Sequence, residues 1–496
     1  MRIVLLSMPD AAPVIMHESA FHMPNLGIAS IGANVDPGHE VYLIDLIRKR
    51  LSIRRYLTRT LLKYRPEVVG LSSMAWQYAT CTKLIKLIRL VLPATKIVIG
   101  GYHATLMHEE VAASAEGQLI DFMIRGEGEE AFRRLVNALA GRDRIGEIPS
   151  LSYKNGREFV HNPRGPLLDL AKLKRPIRDK RRLTWGYHIM NRKMEVLETS
   201  RGCTRTCTYC SMNHMYGRNF RTYPIQRVIA DIDEIYYKLK TRWIFITDDN
   251  LVLDPERLIR LCDAIIARKY PNLTIVIQAD CITMARHEQM VAKMARAGCK
   301  TVFLGIENAS KKNLQAARKG DIRDATVQAI ANCHKYGIMV LGGMIFGFPD
   351  DNEADIIANY EFLNTVKADT AYCQILTPYP KTAMRRQLMD DGLVTNPEDF
   401  TRYNGMWANV RTRHLSADEL QYLFWYHRHN VMGWWEPSER VQNQGRLWTS
   451  IWLLAFKPLF KKLFRRQLRK YGWRGLFERD MAHQAQINHF PDLEGL

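Results

Sequence analysis

The chain is poor in the features that mark secreted or membrane-spanning proteins. It has nine cysteines among 496 residues, too few to staple a fold of this size. Three of them fall between positions 203 and 210, while Cys81, Cys262, Cys281, Cys299, Cys333 and Cys373 stand apart. That pattern excludes a disulfide scaffold and predicts reduced thiols in a cytosol, with one group held for metal. No apolar run reaches the roughly eighteen residues of a membrane span. The opening Met-Arg-Ile-Val-Leu-Leu-Ser-Met-Pro-Asp lacks the longer apolar stretch and small-residue cleavage site of a secretory signal, and reads as a first β-strand. Internal repeats and low-complexity tracts are also missing.

What is present is a soluble globular balance, 47% apolar and 25% charged, in a length that suits two or three domains. The formal net charge of +20 favours anionic partners, either nucleic acid or an acidic membrane surface.

An α/β organisation follows from the periodicity. Apolar strands are predicted at residues 3–7, 40–44, 68–72, 96–100 and 122–125, with helices between them, such as 78–92, where Leu84, Ile85, Ile88 and Val91 share a face. This alternation predicts a doubly wound parallel sheet over residues 1–141, whose ligands bind beyond the strands' carboxyl ends. Small residues stand there: Ser72 and Ser73, Gly100 and Gly101, and Gly126-Glu127-Gly128-Glu129. Residues 142–192 read as a hairpin turning at Asn155-Gly156, followed by a basic linker (Lys172, Lys174, Arg175, Arg178, Lys180, Arg181, Arg182). Strands then recur at 195–200, 243–247, 274–278, 301–305, 339–346 and 372–376, predicting a partial (βα)6 barrel over 193–400 with its chemistry at the strands' C-terminal ends. Residues 401–496 read as a helical region.

The first predicted barrel strand runs into Glu198-Thr-Ser-Arg-Gly-Cys203-Thr-Arg-Thr-Cys207-Thr-Tyr-Cys210. Three thiolates spaced by four and three residues can wrap one face of a metal centre from a single loop. A four-iron cube so held leaves one iron open to a chelating cosubstrate. A structural zinc with His214 as fourth ligand fits the same spacing.

Cys203-x3-Cys207-x2-Cys210, with Tyr209 before the last cysteine, resembles the signature of the radical S-adenosylmethionine superfamily. Trp243-Ile-Phe-Ile-Thr-Asp-Asp-Asn250 resembles its second strand, Phe303-Leu-Gly-Ile-Glu307 its fourth, Gly343-Met-Ile-Phe-Gly347-Phe-Pro349 its fifth, and Thr377-Pro-Tyr-Pro380 its sixth, although Lys381 stands where relatives commonly have glycine. The resemblance spans roughly residues 195–392. It implies a [4Fe-4S] cluster on the three cysteines and S-adenosylmethionine as cosubstrate. Asp248 and Asp249 would hold the methionyl amine, Glu307 the ribose, and Gly343 and Gly347 would flank the adenine. Cleavage of the cosubstrate by one electron would then give a 5′-deoxyadenosyl radical.

The order of a parallel-sheet domain before the barrel resembles the cobalamin-binding subgroup, to which anaerobic porphyrin cyclases and hopanoid methylases belong. Val69-Gly-Leu-Ser-Ser73, Ile99-Gly-Gly-Tyr-His-Ala-Thr105 and Arg125-Gly-Glu-Gly-Glu129 resemble its loops. The resemblance implies a cobalamin beside Ser72, Ser73, Gly100, Gly101, Gly126 and Glu127. The Asp-x-His-x-x-Gly motif that ligates cobalt in other cobalamin domains is missing; His17, His22, His39 and His103 stand in other contexts.

The positive charge concentrates near the C-terminus. In the basic segment 445–475, Leu459, Phe460, Leu463, Phe464 and Leu468 share a helical face opposite Lys and Arg residues, with Trp448, Trp452 and Trp473 alongside. This predicts either a helix lying in an anionic headgroup plane or a helix packed on the barrel. Basic residues in phase with aliphatic anchors, rather than stacking platforms, disfavour nucleic acid.

The expected function is an oxygen-sensitive, anaerobic radical enzyme. It would methylate or cyclise an unactivated carbon of a hydrophobic substrate, peripherally on the inner face of the membrane, with electrons from a flavodoxin or ferredoxin. The alternatives are a cobalamin-free radical enzyme coupling or rearranging lipids, and a zinc-stabilised membrane or nucleic-acid binding protein.

Overall fold

The computed structural model describes residues 1–11, 21–189, 192–431 and 447–496, and side chains except those of residues 21 and 447–461. His17 and the side chains of Trp448, Trp452, Leu459 and Phe460 lie outside the described residues.

Two sheets carry the molecule. The first contains β1 (Arg2–Ser7), β3 (Glu40–Asp45), β4 (Val68–Ser72), β5 (Lys96–Gly100) and β6 (Phe122–Ile124), followed by β7 (Leu151–Asn155) and β8 (Glu158–His161). Their order is β3-β1-β4-β5-β6-β7-β8, with the first five parallel and the last two antiparallel. Ile3, Val4, Leu5 and Leu6 of β1 are buried on both faces, which is why this strand reads as a continuous apolar run. The strand order reverses between β1 and β4, creating a switch point at their carboxyl ends. Helix Tyr78–Val91 covers one face with Cys81, Leu84, Ile85 and Ile88. The predicted hairpin forms, with Gly156 at φ 66° in its turn, and it pairs with β6 to extend this sheet to His161.

The second sheet contains β10 (Arg192–Leu197), β13 (Trp243–Ile246), β14 (Thr274–Asp280), β15 (Cys299–Glu307), β16 (Met339–Phe346) and β17 (Thr370–Ile375), six parallel strands in sequence order. Its β10 edge is extended by β9 (His188–Ile189) and β2 (Phe21–His22), both antiparallel. The result is the curled half-barrel expected from the spacing. Helices pack their apolar faces on the convex side, forming the largest core of the molecule.

The basic linker is more deeply built in than its charge implies. Arg178 is buried with its guanidinium on Asp231 at 2.5 Å, and Arg181 reaches Glu195 at 2.5 Å. Arg182 stacks over Tyr42 and Tyr64. In the C-terminal region, Phe464, Leu468 and Trp473 pack around Trp425 of helix Ala417–Asn430, while Lys462, Arg465, Arg466, Arg469 and Lys470 stay exposed. The helix path breaks at Gly472, whose φ is 66°. The chain end returns to the first sheet: Phe490 and Leu493 join its core, and Asn488 exchanges two hydrogen bonds with the Ala11 backbone. No helix among the described residues is long and apolar enough to cross a membrane.

Candidate active site

The cysteine loop leaves the first barrel strand through a small ribbon, β11 (Ser200–Arg201) against β12 (Arg221–Thr222). Gly202 turns the chain at φ 89°, where a Cβ would meet the Asn219 carbonyl at 2.5 Å, so only glycine fits. Its N–H donates to Asp249 at 3.0 Å. Cys203, Cys207 and Cys210 are partly exposed free thiols. Burial pushes the Cys203 thiol up and that of Cys210 up to about 12, and neighbouring cysteines add to both shifts. Three mutually repelling thiolates are an unfavourable set without cationic metal among them. Among the described residues no three His, Cys, Asp or Glu side chains close around a single ion. His214 interacts instead with the Lys381 backbone.

The two aspartates at the end of β13 divide. Asp248 is buried and accepts bonds from the Thr199 N–H, the Thr199 hydroxyl and the Ser200 hydroxyl, so its carboxylate braces the start of the cysteine loop. Burial raises it to about 6. Asp249 is partly exposed, and the Gly202 N–H bonds only its Oδ2, leaving the other oxygen open to a ligand among the described residues. Burial, followed by the charges of Glu198 and Asp248, raises it to about 7.

Glu307 ends β15 at φ 68°, a left-handed conformation that is costly for a non-glycine residue and concentrates at functional sites. The pairing register with β16 shifts there. Its carboxylate meets Lys319 at 2.9 Å. Tyr209 lies half-buried beside it, and its desolvation together with the Glu307 charge drives the phenol well above its ordinary range. At Gly343 a Cβ would collide with the Phe303 ring at 2.6 Å, so the glycine admits that ring, which packs edge-on to Tyr372. Gly347 turns at φ 83° with its Cβ position against Leu420, and its N–H caps Asp351. Packing on helix Ala417–Asn430 is therefore what demands glycine at position 347.

At the first sheet's switch point, the loops after β4 and β5 are knit together. Gly101 has φ 92°, and a Cβ there would lie 2.7 Å from the Ser73 carbonyl and 3.1 Å from the Ser72 hydroxyl. Ser73 donates its N–H to Gly100 and accepts from that of His103. Nothing lies within 3.9 Å of a Cβ built on Gly100, so the backbone is open to close approach there. His103 stacks on Tyr78 at 4.0 Å and touches Phe400; burial lowers its imidazole to about 4. Among the described residues two buried polar atoms here have no hydrogen-bond partner, Asp10 Oδ2 and His103 Nδ1. Buried polar groups are rarely orphaned, and a ligand rich in amides and phosphate would satisfy these. The edge thus fits a cobalamin tail, as the thiolates fit an iron–sulfur cluster.

The Gly126-Glu127-Gly128-Glu129 loop does different work. Gly126 turns at φ 78° beside Arg164. Glu127, expected beside cobalamin, has both oxygens engaged by Arg201, Arg221 and the Leu168 N–H. Glu129 takes Arg201 at 2.6 Å and Ser30 at 2.7 Å. These residues tie the first sheet to the cysteine loop. Tyr102 makes the second tie: its hydroxyl donates to the Met212 sulfur at 3.6 Å, and its half-buried ring lies near Asp249 and Cys210. Glu129, Arg201 and Tyr102 stood inside quoted motifs without being singled out, and Lys319 and Asp10 carried no sequence signal of their own. Lys381, the departure from glycine, has φ 64° and bridges to Glu110 at 3.2 Å across the same junction.

Comparison with known proteins agrees with this layout. Residues 12–136 match the B12 binding domain and residues 197–363 the Radical SAM superfamily. The chain is 27% identical over 421 residues to an uncharacterized methyltransferase of Pyrococcus horikoshii, covering 85% of this chain and 90% of that protein. It is 24% identical to the anaerobic magnesium-protoporphyrin IX monomethyl ester cyclase of Synechocystis, over 99% and 94% of the two chains. In fold it resembles the radical S-adenosylmethionine methyltransferase TsrM of Kitasatospora setae, solved with cobalamin and a [4Fe-4S] cluster, at a TM-score of 0.65 and 18% identity over 79% of this chain and 75% of that one. With both domains present in one polypeptide, the chain is a radical S-adenosylmethionine enzyme with a B12-binding domain, and its cofactors are a [4Fe-4S] cluster, S-adenosylmethionine and cobalamin.

Proposed function

We propose that this enzyme transfers a methyl group to an unactivated carbon of a hydrophobic substrate at an anionic membrane surface. The observation that carries the transfer is the contact of two cradles: Tyr102, directly after the paired glycines of the B12 edge, touches Met212, two residues beyond Cys210. In this reading Cys203, Cys207 and Cys210 hold the cluster, and Asp249 receives the methionyl amine while Asp248 braces the loop. Glu307, with Lys319 and Tyr209 beside it, faces the ribose, and the strand of Gly343, with the Phe303 ring seated on that glycine, flanks the adenine. Ser72, Ser73, Gly100 and Gly101 take the cobalamin tail. When bound, these groups supply one-electron cleavage of a carbon–sulfur bond and a cobalt-borne methyl group. The chain's own part is placement and the exclusion of water, for which the half-buried Tyr102, Tyr216 and Tyr379 near Cys210 or Asp249 form a wall.

The hydrophobic substrate is supported by the porphyrin named in the cyclase relative, and the membrane by the exposed cationic face between Lys462 and Lys470. Because Phe464 and Leu468 are turned onto helix Ala417–Asn430, attraction to anionic lipid would come through that face. Cyclisation is the second reading, favoured by the cyclase relative's near-complete coverage of this chain. Anaerobic reconstitution with methyl-labelled S-adenosylmethionine separates the two. Methylation puts the label into a product missing from a deletion strain's lipid extract; cyclisation leaves the label out. Absence of 5′-deoxyadenosine and of any other cosubstrate fragment would sink both. Equal liposome flotation with and without residues 445–475 would remove the membrane from the proposal.

A further inference from the structure

A cavity of about 280 Å³ opens beside the cysteine loop, its wall formed in part by Cys207, Arg205, Arg218, Asp280, Arg318 and Lys319. Four cations thus face one carboxylate. Two of them are already matched: Arg205 meets Asp280 at 3.2 Å and Lys319 meets Glu307 at 2.9 Å. Arg218 and Arg318 are exposed, and among the described residues no carboxylate lies within ion-pair distance of either. The other flanks of the loop are covered, by Glu127 and Glu129 on the Arg201 side and by Tyr102, Tyr209 and Tyr379 around Cys210. The cavity is therefore where a cysteine of the loop meets a surface of uncompensated positive charge. Exposed charge at a rim steers an oppositely charged protein to one approach and one orientation.

We propose that this basic cavity is the docking site of an acidic one-electron carrier protein, with Arg218 and Arg318 receiving its carboxylates and Cys207 lying on the side from which the electron arrives. The inference rests on the reading of the three cysteines as a cluster site. The balance is simple: the carrier is oxidised by one electron and the cluster is reduced by one, with no bond made and no proton moved.

The test is stopped-flow bleaching of the reconstituted holoenzyme by reduced flavodoxin, an acidic carrier, and separately by reduced methyl viologen, a small cation. Arg318→Glu and Arg218→Glu/Arg318→Glu are compared with wild type. The flavodoxin rate is expected to fall by about ten-fold or more at low salt, to fall with added salt in wild type, and to leave the viologen rate within about two-fold of wild type. Arg218 also donates to the Thr204 carbonyl, so the single Arg318→Glu variant, at a side chain with no ion pair among the described residues, decides if the double variant loses its cluster. An unchanged flavodoxin rate in Arg318→Glu overturns the proposal. So does saturable binding of inorganic phosphate in the cavity with no effect on that rate, which would make it a small-anion site. If neither reductant bleaches wild-type protein, the cluster reading itself fails.

Discussion

Arg201 and Glu129 meet at 2.6 Å, the residue two places before Cys203 bonded to one in the first turn of helix Glu129–Leu139. The same guanidinium reaches Glu127 at 2.9 Å and Glu198 at 2.8 Å, and Tyr223 donates to the same Oε2 of Glu198 that Arg201 engages. Arg201 is only 7% exposed. One planar cation thus joins the B12-binding sheet to the loop that presents the cysteines, and the geometry of one cradle is fixed relative to the other.

Removing that cation should be severe. Arg201→Ala leaves three carboxylates facing one another in a buried junction, and breaking such a pair costs about 3–5 kcal/mol. Arg201→Lys should recover little of this, because an ammonium cannot reproduce the forked contacts. Thermal unfolding and iron content of anaerobically purified variants check this. A lysine variant with wild-type melting and full iron would refute it.

The junction also sets an acid limit. Burial alone would raise the Glu129 carboxyl, but the Arg201 charge and its bonds overcome this and hold it at about 2, against an ordinary 4.5. A carboxylate depressed in the folded state gives stability that is complete above its unfolded value and is lost as pH falls through the folded one. Stability should therefore decline between about pH 4.5 and 2 through this group. Glu129→Gln should be less stable at neutral pH and should lack that part of the decline. Melting temperature against pH for the two proteins tests this; parallel curves would count against it.

Much of this architecture was legible because it is repetitive and local. Strands such as 68–72, 96–100 and 339–346 coincide with β4, β5 and β16, since buried parallel strands are unbroken apolar runs. The cysteine motif was legible because all three ligands lie on one loop. What escaped is what pairs across long separations. Glu127 sits in a glycine-rich loop that reads as a cofactor edge, and nothing local shows that Arg201 and Arg221 will claim it. Arg178 looks like a solvated linker charge until Asp231 arrives from helix Ile225–Asp233. Asn488 bonding to Ala11 has no local signature at all.

Lys381 is a departure from pattern whose cause is now geometric. Its φ of 64° explains why glycine is usual there, since a left-handed non-glycine residue costs about 1–2 kcal/mol. In exchange its ammonium reaches Glu110 at 3.2 Å and Glu109 at 3.9 Å, exposed pairs worth about 0–1 kcal/mol. Lys381→Gly should be neutral to stabilising by up to about 1 kcal/mol, whereas Lys381→Ala keeps the strain, loses both pairs and should be destabilised. Denaturant midpoints rank the three proteins, and an alanine variant more stable than the glycine variant would contradict the strain argument.

Tyr102 offers the sharpest test of how the two cradles cooperate. Its half-buried ring lies between the paired glycines of β5's end and Met212, with Asp249 and Cys210 nearby. Two of its attributes can be separated. Tyr102→Phe removes the hydroxyl–sulfur contact but keeps the ring that excludes water, so cobalt and iron content should stay at wild-type levels. Tyr102→Ala removes the ring and leaves a void at the junction, costing about 3–5 kcal/mol by analogy with other aromatic truncations. The opened junction would let the radical take a hydrogen atom from a donor other than substrate, a buffer C–H or a thiol S–H, so 5′-deoxyadenosine should form in excess over methylated product. The ratio of those two products, measured beside cobalt and iron stoichiometry, distinguishes lost shielding from lost cofactor. If Tyr102→Ala retains both metals and the wild-type ratio, the ring is not the barrier between the two cradles, and water must be kept out by Tyr216 and Tyr379 alone.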